Sequence, residues 1–384
     1  MATECPVKIV NVVGARPNFV KIAPLIREMR KHQDIQPVLV HTGQHYDIRM
    51  AGQFFEDLQI PSPDVSLDVG SGSHAVQTGE VMKRIEPVLE IQQPDAVLVV
   101  GDVNSTLAAA LTAVKLQIPV AHVEAGLRSF DRTMPEEINR LATDAISDFL
   151  FVTEESGKQN LLREGVTEER IFFVGNVMID SLEFSRRLWE RANIHTHLGL
   201  GNGGYGILTL HRPSNVDNEE KLRELLTALA MIAERFPLIF PVHPRTKKRL
   251  EAMEELRDTL WFGSAPLPPR GICCLEPLGY IDFMALVARS QLVLTDSGGI
   301  QEETSMLGVP CLTLRENTER PVTVTHGTNR LVGTVPDRIV AEAFHILDGP
   351  RLVNTPPPLW DGRASQRIVA VLHERIGQVT SSLT

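Results

Sequence analysis

Short apolar runs recur along the chain, each followed by an amphipathic stretch. Val7–Val13, Pro37–His41, Ala96–Val100, Val120–Val123 and Phe149–Val152 are rich in Val, Ile and Leu and show little polar alternation. That pattern predicts strands covered on both faces, the habit of a parallel sheet. Lys21–Lys31, Gln77–Ile91, Ser105–Leu116 and Glu136–Ser147 lie between or after them and read as helices. Strand–helix alternation of this kind builds a doubly wound α/β layer.

The pattern restarts after Asp180. Ser181–Arg191 reads as a helix and Asn193–Gly206 as a loop. Ile207–Leu210, Leu238–Val242, Leu292–Thr295 and Pro310–Leu314 read as strands, with helices at Glu219–Phe236, Tyr280–Ser290 and Ile300–Leu307. The Pro356–Pro358 run interrupts the chain before a last helix near Arg363–Ile376. The expectation is two doubly wound Rossmann-like domains, 1–180 and 181–361, facing a cleft. Ligands of such sheets bind beyond the carboxyl ends of the strands, so the residues after each strand carry the functional information.

A chain of 384 residues is longer than one hydrophobic core usually supports, which agrees with two domains. Its net charge of -10 argues against a general nucleic-acid or anionic-membrane surface. An anionic ligand would therefore be held by a few local Arg, Lys or helix N-termini. The cysteines Cys5, Cys273, Cys274 and Cys311 form no CxxC pair, so neither zinc nor a disulfide framework is expected. His41 and His45 are separated by Gly43 and lack a third ligand in sequence, so no metal site is expected there. The first residues lack a signal-peptide pattern and no apolar run is long enough to span a bilayer, so the expected location is cytoplasmic.

Gly14-Ala15-Arg16-Pro17-Asn18 follows the first strand. Arg16 can make a bidentate phosphate contact, or simply lie on a βα turn; Lys21 is nearby. Asp102 follows the Ala96–Val100 strand, where it either serves the site or caps the next helix, a task Asn104 or Ser105 can also do. Glu124 ends a buried apolar strand, where a carboxylate is costly unless partnered. It is a proton-transfer candidate, or the partner of Arg128. Thr133-Met134-Pro135-Glu136 has capping-box spacing, which by itself accounts for Glu136, and Arg140 is placed to pair with Glu136 one turn on.

His211 and His243 each follow a strand in the second half and can act as a base, as an anion donor or as structural donors. Asp296-Ser297-Gly298-Gly299 is the sharpest local signal. A strand ends, two glycines bare the backbone, and a helix begins, so its N–H groups and dipole suit a diphosphate. A Gly-bearing turn capped by Asp296 or Ser297 is the alternative.

GARPNFVKIAPL, HTGQHYD, GDVNSTLAAALTA, HVEAGLRS, MPEEINR, VGNVMID, LHRPSN, PVHP and DSGGIQEE occur in that order along nearly the whole chain. Together they closely resemble the non-hydrolysing UDP-N-acetylglucosamine 2-epimerases of the GT-B-like fold. The resemblance implies Arg16 and Lys21 near the substrate phosphate, Asp102, Glu124 and Glu136 as catalytic carboxylates, and His211 as a cleft histidine. It implies Ser297, Gly298 and Gly299 at the diphosphate, Glu303 at the ribose, a UDP-sugar as substrate, and a homodimer. It also implies that the final helix, 362–384, packs back on the first domain.

The chemistry accounts for several carboxylates. The C2 proton of such a sugar has no adjacent carbonyl and is weakly acidic. Loss of UDP from C1 acidifies it, a base removes it, and return of a proton on the other face of the 2-acetamidoglucal inverts C2. No hydride moves, so no nicotinamide cofactor is implied. The better-known bacterial members read GTRPEAIK, HRRE and TGQHRE where this chain has Ala15 and Asn18, Pro213 and Ser214, and Tyr46 and Asp47. These differences, with RSFDRTMPEEINR, also resemble a branch acting on UDP-2,3-diacetamido-uronic acids. A hydrolysing epimerase, a glycosyltransferase of the same fold and a nucleotide-sugar sensor are the rival functions.

Overall fold

The computed structural model describes residues 6–43, 57–200, 204–242, 244–263, 265–350 and 355–382. The chain divides into two compact units, Met1–Phe184 with Pro358–Thr384, and Ser185–Pro357.

Unit 1 carries a sheet of β1 (Val7–Val13), β2 (Ile35–His41), β3 (Val65–Ser66), β4 (Ala96–Val100), β5 (Val120–Ala125), β6 (Phe149–Val152) and β7 (Ile171–Phe173). The order is β3-β2-β1-β4-β5-β6-β7, and every pairing is parallel. The apolar runs are long because both faces are covered. Val10, Val12, Val97 and Val99 pack against Val81, Ile85 and Leu89 of helix His74–Gln92 and Ala108–Ala110 of helix Asn104–Lys115. Each of these buried Val, Ile and Leu side chains contributes roughly 1.5–3 kcal/mol. Helix Arg16–Met29 packs on helix Ala364–Ser382, so the last helix belongs to this unit.

Unit 2 repeats the plan with β8 (Gly206–Thr209), β9 (Leu238–Pro241), β10 (Leu260–Trp261), β11 (Ile272–Leu275), β12 (Leu292–Thr295), β13 (Cys311–Thr313) and β14 (Asn329–Leu331). Its order is β10-β11-β9-β8-β12-β13-β14, again all parallel. Leu208, Phe240, Leu292, Leu294 and Leu312 form a core with Leu225, Leu229 and Ile232 of helix Glu219–Ala233.

The strand order reverses between β1 and β4 in unit 1 and, with β10 and β11 exchanged at the far edge, between β8 and β12 in unit 2. The loops after neighbouring strands diverge at such a point and leave a crevice at the carboxyl edge. Arg16, Lys21 and Asp102 follow the first pair of strands, and His211 and Ser297–Gly299 the second.

Several boundaries differ from the sequence expectation. The first helix begins at Arg16 rather than Lys21, because Pro17 suits the first helical turn and the Asn18 carboxamide receives the Ala15 N–H at 3.3 Å. The two- and three-residue strands at the sheet edges and helices Glu155–Arg163 and Pro336–Asp348 are additions. A short helix, Ile194–His197, lies inside the expected loop. Among the described residues, no helix is long and apolar enough to cross a membrane.

Candidate active site

In unit 1 the site residues form a chain of alternating charge along the carboxyl edge. The Lys21 ammonium donates to Glu124 Oε2. The same oxygen lies 3.8 Å from Arg140 Nη2, which is 2.7 Å from Asp102 Oδ2. Lys21, Glu124 and Arg140 are buried, whereas the Asp102 side chain keeps 23% of its exposure and is the end open to a ligand. A buried carboxylate held between two cations has its desolvation offset by them.

Local backbone geometry puts these groups together. Glu124 has φ 72°, in the left-handed region, at a bulge where the β5–β6 register shifts between Val123 and Ala125. A non-glycine residue there is uncommon, and bulges re-aim side chains. Gly101, at φ 68°, turns the chain from β4 toward Asp102. A Cβ on it would sit 3.1 Å from both Glu124 Oε2 and Lys21 Nζ, so the ion pair is packed against bare backbone. Asn18 completes the corner by donating from Nδ2 to the Val100 carbonyl at 2.6 Å.

The structure corrects three partner assignments. Arg128 pairs with Asp144 and Glu164, not with Glu124. Arg140 pairs with Asp102 and Glu124, not with Glu136. No capping box forms: helix Pro135–Ile146 starts after Met134, and Thr133 Oγ1 donates to Asp131 at 2.6 Å. Glu136 is exposed in the first turn of that helix, and the buried carboxylate next to it, Glu137, receives Ser129 N–H at 2.8 Å. Asp102 is not a cap either, since the residue before helix Asn104–Lys115 is Val103. Of Arg16 only the backbone, the first residue of its helix, is described, and His243 and His45 lie outside the described residues.

In unit 2 the organising group is Asp296, fully buried after β12. Its oxygens receive the backbone N–H of His211 at 3.1 Å, that of Arg212 at 3.0 Å and Asn215 Nδ2 at 3.1 Å. His211 Nδ1 lies 2.7 Å from Asp296 Oδ1 while the imidazole is 60% exposed, so Nε2 is the nitrogen offered to a ligand. Burial pushes the Asp296 carboxyl up, but the hydrogen bond and charge of His211 and the two backbone N–H groups bring it below its ordinary value. Asp296 thus anchors the loop after β8 and does not cap a helix.

Helix Gly298–Leu307 starts beside it, and Ser297 makes no side-chain capping bond. Ser297, Gly298 and Gly299 are half-buried. The Arg320 guanidinium lies over the helix start, where a Cβ on Gly298 would meet Nη1 at 2.5 Å. Arg320 is held by Glu302 at 2.6 Å, and Glu319 collects Arg315 at 2.7 Å and Arg212 at 3.4 Å. Three guanidiniums, held by Glu302 and Glu319, flank a helix N-terminus, an arrangement suited to phosphate. Sequence reasoning overlooked Arg315, Glu319 and Arg320. They follow β13, and the strand-end rule applied to that strand would have found them.

Glu303, one turn into the helix, is buried and accepts a hydrogen bond from the Tyr280 hydroxyl at 3.0 Å. Burial, helped by the charge of Glu302 and opposed by Tyr280, pushes its carboxyl up to about 8. Folded unit 2 therefore holds a proton that the unfolded chain releases above the ordinary value of 4.5. Its stabilising contribution is complete below that value and is lost as the pH rises toward about 8. Glu303→Gln should remove this dependence, leaving the variant more thermostable than wild type at pH 8.5 by on the order of 3 kcal/mol. Thermal unfolding of both proteins between pH 5 and 9 checks this, and parallel profiles would refute it.

Two doubly wound parallel sheets, one with a carboxylate-rich edge and one with a guanidinium-flanked helix mouth, define an α/β protein with a mouth suited to an anionic phosphate ligand. The family model for UDP-N-acetylglucosamine 2-epimerase matches residues 27–373. The UDP-N-acetylglucosamine 2-epimerase of Methanocaldococcus jannaschii is 44% identical over 370 residues, spanning 95% of this chain and 98% of that protein. The UDP-2,3-diacetamido-2,3-dideoxy-D-glucuronate 2-epimerase of Pseudomonas aeruginosa is 40% identical, over 95% and 99% of the two chains. The crystal structure of the Methanocaldococcus jannaschii enzyme in complex with UDP-GlcNAc and UDP superposes with TM-score 0.86 at 43% identity, covering 96% of this chain and 99% of that one. The chain belongs to the UDP-N-acetylglucosamine 2-epimerase family, and its fold is GT-B-like.

Proposed function

We propose that the protein interconverts UDP-N-acetylglucosamine and UDP-N-acetylmannosamine by eliminating UDP to a 2-acetamidoglucal and adding it back. The observation that carries this reading is the Lys21–Glu124–Arg140–Asp102 array at the strand-reversal point of unit 1. Inverting C2 needs proton-transfer groups on both faces of the ring, and Asp102, Glu124 and Glu136 supply carboxylates for them. The same carboxylates stabilise the cationic character that develops as UDP leaves C1. Departing diphosphate takes up negative charge, which His211 Nε2, Arg16 and the Ser297–Gly299 helix start are placed in sequence to receive. Glu303 receives the ribose. His243 is retained as a substrate contact. The division into domains 1–180 and 181–361, a homodimer and a cytoplasmic location belong to the same reading.

The test is incubation with UDP-N-acetylglucosamine in deuterated water, followed by NMR. Deuterium is expected at C2 of the product and of recovered substrate. Epimerised product without label at C2 would rule out elimination, and free N-acetylmannosamine with UDP would indicate the hydrolysing reaction. The 40% identity to the diacetamido-glucuronate enzyme supports a second reading, in which the sugar carries a 3-acetamido group and a 6-carboxylate. Comparing kcat/KM for the two UDP-sugars decides between them.

A further inference from the structure

Behind the carboxylates lies a fully buried network that the proposed chemistry does not itself use. His122 sits in the middle of β5, two residues before Glu124, with no exposed surface. Its Nδ1 is 2.6 Å from Asp144 Oδ1, and its Nε2 is 2.8 Å from the carbonyl oxygen of Gly101. Asp144 Oδ2 receives the Gly126 N–H at 3.0 Å and lies 2.7 Å from Arg128 Nη1. Burial pushes the Asp144 carboxyl up, but His122 and Arg128 outweigh it and hold it below the ordinary range. Both ring nitrogens of His122 thus lie within hydrogen-bond reach of oxygens, and the Gly101 carbonyl, which can only accept, calls for a donor at Nε2.

The connectivity of these bonds matters more than their number. The Gly101 carbonyl belongs to the peptide that enters Asp102. Gly126 is two residues beyond Glu124, on the far side of the bulge. Through His122 on one oxygen and Gly126 on the other, the single Asp144 carboxylate fixes the backbone on both sides of Glu124 and the backbone leading into Asp102. Glu124 occupies a left-handed conformation, and the turn at Gly101 is left-handed too. For a residue with a Cβ, such as Glu124, that conformation persists only where the surroundings over-determine it.

We propose that Asp144 and His122 are positioning residues, which act through the Gly101 carbonyl and the Gly126 N–H to set Asp102 and Glu124 relative to each other. This rests on Asp102 and Glu124 being the proton-transfer groups. Transfer distances are short, and a displacement of about 1 Å is worth about 100-fold in rate.

Two isosteric half-replacements separate positioning from bulk stability. His122→Gln places an amide donor where Nε2 was and keeps the Gly101 bond. His122→Asn places one where Nδ1 was and keeps only the Asp144 bond. Both remove one bond and part of a ring, so both lower the melting temperature. The expected result is a kcat for His122→Asn reduced by about 30- to 100-fold at unchanged KM, with His122→Gln restoring most of it. Equal loss in both variants, loss in neither, or the reverse order overturns the proposal. Should the variants not fold, NMR of wild-type protein labelled with 15N-histidine is the second measurement. A hydrogen-bonded N–H proton at Nε2 of the His122 ring is expected, and a ring with Nε2 bare overturns the proposal. Wild-type-like kcat in Asp102→Asn and Glu124→Gln would instead defeat the underlying assignment, an outcome distinct from either His122 result.

Discussion

Glu124→Gln is expected to lower kcat by about 10²- to 10⁴-fold, the usual range for removal of a proton-transfer group. UDP affinity should stay within about threefold of wild type, since a group acting mainly in the transition state contributes little to ground-state binding. The substitution also disturbs the fold. Lys21 and Arg140 are buried against this carboxylate, and removing one partner of a buried pair costs about 3–5 kcal/mol. A low rate in the single variant is therefore ambiguous by itself. The double variant Lys21→Met, Glu124→Gln takes away both members of the closest pair and leaves Arg140 with Asp102. It should recover most of the melting temperature and none of the turnover. A double variant as stable as wild type that also turns over at a wild-type rate would remove Glu124 from the chemistry and leave it as a structural anion.

The difference between the sequence reading and the structure has a simple physical form. β1, β4, β6 and β12 have the same bounds in both, because a strand covered on two faces writes its burial directly into consecutive residues. β3, β10 and β14 are two or three residues long at or near sheet edges, too short for a pattern, and they exist through pairing with a neighbour. The site divides the same way. Asp102, His211 and Ser297–Gly299 follow strands and Glu124 lies near the end of one, so their place at the carboxyl edge of a sheet was legible from the apolar runs before them. Their partners were not. Arg140 was expected on Glu136, a neighbour on its own helix, and it reaches Asp102 and Glu124, far away in sequence. Lys21 was expected at a phosphate, and it donates to Glu124. Local spacing encodes the pairs within a helix, whereas those across strands depend on sheet order, which no single segment carries.

Asp296 shows how much can rest on one such partner, and Asp296→Asn is expected to cripple unit 2. The two carboxylate oxygens accept from His211 N–H, Arg212 N–H and Asn215 Nδ2, and from His211 Nδ1. A carboxamide keeps one acceptor and turns the other position into a donor. With the amide nitrogen toward Arg212 and Asn215, donors face donors inside the core. With it toward His211, the amide faces the backbone N–H of that residue and no longer holds the imidazole at Nδ1 as the carboxylate does. Either orientation should cost about 2–4 kcal/mol of stability and lower kcat/KM by about 100-fold through the histidine. The sign of the pH effect supplies a further check. The folded-state carboxyl lies below its ordinary value of 3.8, so its contribution is present above that value and is lost as the pH falls through the folded value. The stability gap between wild type and Asp296→Asn should therefore be full at neutral pH and narrow in acid. His211→Asn then separates the roles: it should match the activity loss of Asp296→Asn while losing far less stability, because the exposed ring contributes little to the core. If His211→Asn retains full turnover, Asp296 is an architectural residue only, and the histidine has no part in releasing the diphosphate.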